Sequence, residues 1–284
     1  MGLIKISFVA AIMLTVSACA TLMNSATSKM TDNLTLAILN QSDLETVRSG
    51  APAYLLMVDG LIQGSPDDSD LLLAGSKLYS SYTSAFVDDP ERARRLSKKS
   101  FDYATRAVCA DLERLCAATE APLDGFREAV AGTQLKDLPL LYGLATAWTG
   151  WVQANSEDWN AVIDLPRLTL LFEHCLELDE KFDGGGAHVY LGVFETLLPP
   201  ALGGKSASAL AHFERAIEIS SGDNLMYQVL MAEHYARTVF DQEMHDRLLH
   251  AVLAHPAEAP GLTLINTLAK RRAEILLTES ADFF

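Results

Sequence analysis

The stretch that most constrains this chain is Tyr190–Ile219, YLGVFETLLPPALGGKSASALAHFERAIEI. It reads as two helices with a hard break between them. In the first, Leu191 and Gly192 set a large residue beside a small one. Pro199 and Pro200 end it, because neither has an N–H to donate and each disfavours helix in the residue before it. Gly203 and Gly204 let the chain turn back, and Ser206 is placed to cap the second helix. Ala209, Phe213, Ala216 and Ile217 then fall at i, i+4, i+7 and i+8, which is one buried helical face. Small, large and small at that spacing lets two helices approach closely around one aromatic ring.

The pattern repeats. Tetratricopeptide-type repeats set a large and a small residue at positions 7 and 8, an aromatic at 11, small–aromatic–small at 20, 24 and 27, and proline at 32 of 34. With Ala232 on position 8, Met231, Tyr235, Met244, Leu248, Ala251 and Pro256 fall on the other positions with no insertion. The pair around Gly192 fits with about five extra residues in its loop. The pair around Gly143 continues to Phe172 and Cys175 across a longer insertion containing Trp159, and the pair around Gly75 continues to Ser97, Phe101 and Ala104.

Between these anchors the chain reads as helix. A first helix is expected over Thr31–Val47 and a second over Ala51–Ile62. A third begins at one of the aspartates Asp67 to Asp70 and runs to Phe86, and Asp89-Pro90 starts a fourth. Glu113–Leu135 is less regular, interrupted by Pro122 and Gly125. Helices over Leu138–Ala154 and Leu165–Leu178 follow. Nothing alternates with period two, so the expected fold is all-α: a tetratricopeptide-like superhelix of αα-hairpins. Pro260–Phe284 would close it as a capping helix with Lys270, Arg271, Arg272 and Glu274 outward. First helices carry Tyr79, Tyr82, Trp148, Trp151, Tyr190, Phe194 and Tyr235, either as interhelical core or as the wall of an apolar groove for a ligand or partner segment.

The N-terminus reads as a targeting segment. Lys5 precedes an apolar run, Ile6 to Val16, too short to span a bilayer. Val16-Ser17-Ala18-Cys19 resembles the lipobox of bacterial lipoproteins. That resemblance implies cleavage of residues 1–18, acylation of Cys19, a tether over 19–30 and a helical domain over 31–284. The simpler alternative is a secreted protein with a stray cysteine. Ala20 is not the aspartate of inner-membrane retention, which favours the outer membrane's inner leaflet. Of the other cysteines, Cys109 and Cys116 can bridge in an oxidising compartment only if the helix breaks near Asp111, since unbroken helix holds their Cα atoms about 10 Å apart. Otherwise they are buried thiols, as Cys175 is expected to be.

Charge and motifs exclude more than they assign. Twenty-two basic against 37 acidic residues leave −15, a surface that repels nucleic acid. Gly203-Gly204-Lys205-Ser206 lacks the earlier glycine and the strand of a phosphate loop, since Pro199 stands where that glycine would be. Gly184-Gly185-Gly186 reads as a helix end and linker. The histidines His174, His188, His212, His234, His245, His250 and His255 form no H-E-x-x-H pair, so no metal site is expected. No nucleophile elbow occurs. Glu233, His234 and Asp241 read as solvated or capping groups. No catalytic residue, cofactor or enzyme activity is expected.

Several stretches resemble a known family: LLLAGSKLYSSYTSAFVDDPERA from Leu71, LPPALGGKSASALAHFERAIEIS from Leu198, MAEHYARTVFDQEMHDRLLHAVLAHP from Met231 and LTLINTLAKRRAEILL from Leu262. They are similar to the T components (TatT family) of tripartite ATP-independent periplasmic (TRAP) transporters. The resemblance implies a periplasmic lipoprotein that self-associates, with a trimer as the candidate form. It would dock the transporter's substrate-binding P component and pass an apolar ligand through its cleft. Residues expected at that cleft or partner surface are Tyr82, Trp148, Trp151, Tyr190, Phe194, Pro199, Pro200 and Tyr235. The alternative is a repeat scaffold lipoprotein organising envelope proteins without a transporter.

Overall fold

The structure is a computed structural model that describes residues 36–198 and 204–284. The expected signal segment, Cys19 and tether therefore lie outside the described residues, as do Pro199, Pro200 and Gly203. Among the described residues every regular element is a helix. In chain order they are α1 (Leu44–Gly64), α2 (Ser69–Phe86), α3 (Pro90–Asp111), α4 (Glu113–Ala118), α5 (Leu123–Ala131), α6 (Leu138–Ala154), α7 (Trp159–Val162), α8 (Leu165–Asp179), α9 (Gly186–Glu195), α10 (Ser206–Ile219), α11 (Leu225–Leu230), α12 (Gln242–Ala254) and α13 (Thr263–Phe283).

Local chemistry sets most boundaries. Asp43, Asp68, Asp89, Asn224 and Asp241 each accept a hydrogen bond from an amide in the first turn of α1, α2, α3, α11 and α12, satisfying donors that a helix start leaves bare. The first helix differs from expectation. The break falls at residues 41–43, and one helix runs from Leu44 through Gly50, Ala51 and Pro52 to Gly64. Asp43 supplies the cap that fixes this start. Lys205, not Ser206, stands at the N-cap of α10, and α9 ends at Glu195, before the two prolines. Its end is tied locally, Thr196 Oγ1 donating to the Val193 carbonyl. Gly125 lies inside α5 rather than interrupting it.

Helices pair as successive antiparallel hairpins: α2 with α3, α6 with α8, α9 with α10, and the helix begun by α11 with α12. Small residues stand where large ones could not. A Cβ on Gly143 would lie 2.2 Å from a Leu73 methyl carbon, and one on Gly192 would lie 3.0 Å from the ring of Phe213. Ala209, Phe213 and Ala216, the small–large–small set of α10, are fully buried. Leu168, Phe172 and Cys175 fill the same role on α8.

The last hairpin corrects the expected register. Its buried face on α12 is His245, Leu249 and Val252, whereas Met244 and Leu248 are half-buried and Ala251 is exposed. The whole face is displaced by one residue. The cause is in the preceding helix, which passes from α into a π-helical turn over Met231–Ala236. Such a turn takes up one extra residue, so the loop and α12 arrive one position late. Glu233 is likewise not a solvated group: Arg272 donates to it through Nη2 and, at 3.2 Å, through Nε. Asp241 is a cap, accepting from the Met244 amide at 2.8 Å.

Two ties join segments that hydrophobic packing alone would leave loose. Helix α3 stops at Asp111, and Leu112 at φ −126°, ψ 62° turns the chain into α4. That turn brings the Cα atoms of Cys109 and Cys116 to 4.8 Å, and the two are disulfide-bonded. Cys175 is a buried free thiol whose pKa burial pushes up to about 12. Asp59 of α1 accepts from Tyr79 Oη at 2.8 Å, Tyr103 Oη at 2.7 Å and Lys99 Nζ at 2.5 Å. Those donors sit on α2 and α3, so one carboxylate pins three helices.

Helix α13 does more than cap the last hairpin. Ala269, Ala273 and Leu276 are buried against α11 and α12, while Leu264 and Leu268 near its start pack into the core formed by α1, α2 and α3. The Gly261 amide donates to Asn40 Oδ1 at 2.7 Å, immediately before α1. The first and last helices therefore touch. Lys270 is not simply an outward charge, since its Nζ donates to the Leu253 carbonyl at 2.9 Å. Among the described residues no helix is long and apolar enough to cross a membrane.

Candidate functional site

The aromatic residues expected at a cleft form two stacked tiers inside the hairpin array. In the first, Phe101 of α3 stacks on Trp148 at 5.3 Å and on Trp151 at 5.7 Å, and Phe126 of α5 meets Trp148 edge-on. Trp148 Nε1 donates to Asp164 at 3.2 Å, giving the buried indole its partner. In the second tier Phe172 of α8 stacks on Tyr190 at 4.5 Å and meets Phe194 and Tyr142 edge-on. Burial, with the Asp183 carboxylate nearby, pushes the Tyr190 phenol up to about 12.

Trp148, Tyr82 and Tyr235 are interior residues, 3%, 5% and 9% exposed. Tyr82 packs on Phe86, and its hydroxyl takes a 3.3 Å hydrogen bond from Arg92. Trp151, Tyr190 and Phe194 are half-buried. The structure thus places the first three in the core and leaves the second three at its margin.

A polar cluster between α9 and α10 was not visible as spacing. His188 and His212, 24 residues apart, bring their Nδ1 atoms to 2.8 Å. His188 Nε2 lies 3.6 Å from Glu180 Oε2, and His212 Nε2 lies 4.0 Å from Glu195 Oε2. Arg215 engages Glu180, while Ser208 Oγ and Lys205 Nζ engage the other oxygen of Glu195 at 3.0 and 3.7 Å. Burial lowers both imidazole pKa values, and for His188 the neighbouring His212 adds to the effect. A search confined to single helices could not find this pair, because it forms across a hairpin. The only signal was that both positions fall on helices the repeat pattern brings together.

Among the described residues exposed apolar groups gather in several places, one of them Phe240 and Phe283 packed on Phe284. On α1, Leu56, Met57 and Leu61 are 72%, 50% and 52% exposed, along a face that also carries Ala53 and Gly60. After α9, Leu197 and Leu198 are both about half exposed. A surface concavity of ≈ 380 Å³ is lined by Asp183, Ser220, Asp223, Asn224, Tyr227 and Leu262, where Asp183 and Gly184 turn the chain with positive φ ahead of α9.

Comparison with known proteins bears on the whole hairpin array. The sequence profile of the TRAP transporter T-component family matches residues 40–284. The chain belongs to that family. The match begins four residues before α1 and runs past the end of α13, so it takes in every hairpin of this T component and the closing helix. A protein of Treponema pallidum (strain Nichols), described as uncharacterized, is 22% identical over 271 residues, covering 89% of this chain and 84% of its own. Membership makes the T component an accessory of a TRAP transporter.

Proposed function

We propose that this T component is a periplasmic lipoprotein that docks the substrate-binding P component of its transporter. Acylated Cys19 would hold it to the inner leaflet of the outer membrane, and copies of the chain would associate, with a trimer as the form to test. The family match over 40–284 carries the reading. Two surface features support docking: the uncharged face of α1 around Leu56, Met57 and Leu61, and the Leu197–Leu198 turn. Isolated apolar residues on a surface are ordinary, but a contiguous stripe on a terminal helix marks an interaction face.

An apolar ligand would meet the array beside the half-buried residues Trp151, Tyr190 and Phe194. A scaffold without a transporter is the competing reading, and family membership weighs against it. The test is co-purification. Mature chain without its lipid is expected to retain the cognate P component at micromolar concentration and to run as an oligomer by light scattering. A P component from the same genome that never associates, in the presence or absence of its substrate, sinks the docking claim. A strict monomer sinks only the self-association.

A further inference from the structure

The contact between His188 and His212 has a definite proton arrangement. Two bare Nδ1 atoms do not sit 2.8 Å apart, so one of them carries a hydrogen that the other accepts. Each outer nitrogen faces a carboxylate, His188 Nε2 at 3.6 Å from Glu180 Oε2 and His212 Nε2 at 4.0 Å from Glu195 Oε2. The neutral pair therefore holds one hydrogen between the rings and one on the outer nitrogen of the accepting ring, and the donor ring's outer nitrogen is bare.

We propose that His188 and His212 form an acid-opened latch between α9 and α10. One proton can be added without breaking it, at the donor ring's bare outer nitrogen, which faces a carboxylate whichever ring donates. The second has only the accepting ring's Nδ1 to occupy. That would point two N–H groups at each other at 2.8 Å and set two like charges in contact, which opens the hairpin.

The surroundings favour a threshold rather than a gradual response. Facing the pair are Glu173 and Glu180 from α8 and its end, Glu195 from α9, and Lys205 and Arg215 from the start and body of α10. On the π-helical turn packed on α9, Glu233 is engaged by Arg272, and Arg237 just after it by Glu279; His234, also on that turn, is an imidazole whose pKa burial lowers as well. Three carboxylates against two cations tolerate one added proton and not two. Because both folded-state values are depressed, the latch contributes fully above the ordinary imidazole range and is lost as pH falls through the folded values. Opening would loosen the connection that carries Leu197 and Leu198. The inference does not depend on which partner the chain docks.

The decisive experiment uses the full chain with ¹⁵N-labelled histidine. At neutral pH, long-range ¹H–¹⁵N spectra should show one of His188 and His212 as the Nδ1–H tautomer and the other as the Nε2–H tautomer. On going from about pH 7 to about pH 5, hydrogen exchange corrected for intrinsic rates should show protection falling roughly 10-fold over residues 186–219 and little elsewhere. His212→Gln should abolish that excess response. The same tautomer on both rings, independent titration at ordinary values, or unchanged protection of α9 and α10 would each overturn the proposal. If the variant does not fold, the wild-type spectra and exchange decide alone.

Discussion

Asp59 shows how much of this fold can rest on one side chain. Burial works to raise its pKa, and the hydrogen bonds from Lys99, Tyr103 and Tyr79 together outweigh it, holding the carboxyl below its usual range. Desolvation and the same hydrogen bond push the Tyr103 phenol up to about 12. The signs differ at the two ends of the pH scale. The depressed carboxyl contributes above its ordinary value and is lost as acid protonates it; the raised phenol contributes below its ordinary value and is lost as alkali ionises it. Asp59→Asn should therefore cost about 1.5–3 kcal/mol at neutral pH, the range for hydrogen bonds to a charged group, and flatten both limbs of a stability–pH curve measured by denaturant unfolding. Gly192→Ala tests close approach: a Cβ 3.0 Å from the Phe213 ring should cost about 1–3 kcal/mol. Gly60→Ala is its control, since a Cβ there meets nothing within 4 Å and removing a mid-helix glycine should stabilise by about 1 kcal/mol. Parallel thermal melts would show the two shifts in opposite directions.

At the level of elements, legibility depended on whether a signal was local. Caps such as Asp89-Pro90 and the glycines at tight crossings declare themselves, because a bare amide or a missing Cβ is a property of one position. The π-helical turn is different. Met231–Ala236 contains no proline or glycine, and Met244, Leu248 and Ala251 make as plausible an apolar face as the His245, Leu249 and Val252 that are buried. Two registers one residue apart both satisfied the pattern, and only packing against α13 separates them. The aromatic residues were ambiguous for a related reason: core and groove ask for the same rings, Phe101 of α3 stacks on both Trp148 and Trp151, and what separates the two is Phe126 of α5, which covers Trp148. The Cys109–Cys116 link belongs to this scale as well. It spans the turn at Leu112, and the short loop it closes should be worth about 2 kcal/mol. Cys109→Ser with Cys116→Ser, or reductant on the wild type, should lower the unfolding midpoint accordingly. A midpoint indifferent to reductant would show that the bridge does not constrain the unfolded chain.

For the whole molecule, the contact between α13 and α1 matters most. In an open array each repeat depends on its neighbours alone, so removing the last helix would be felt at that end. Here Leu264 and Leu268 also fill the core beneath α1. Deleting residues 263–284 should therefore expose Leu249 and Val252 locally and, at the other end of the chain, speed hydrogen exchange in α1 as well. Fast exchange confined to α11 and α12 would show that the distant contact contributes nothing. An array whose two ends meet also cannot grow. Inserting or losing one hairpin would carry Gly261 out of reach of Asn40 and part the seam, so related chains should vary in loop length and not in repeat number.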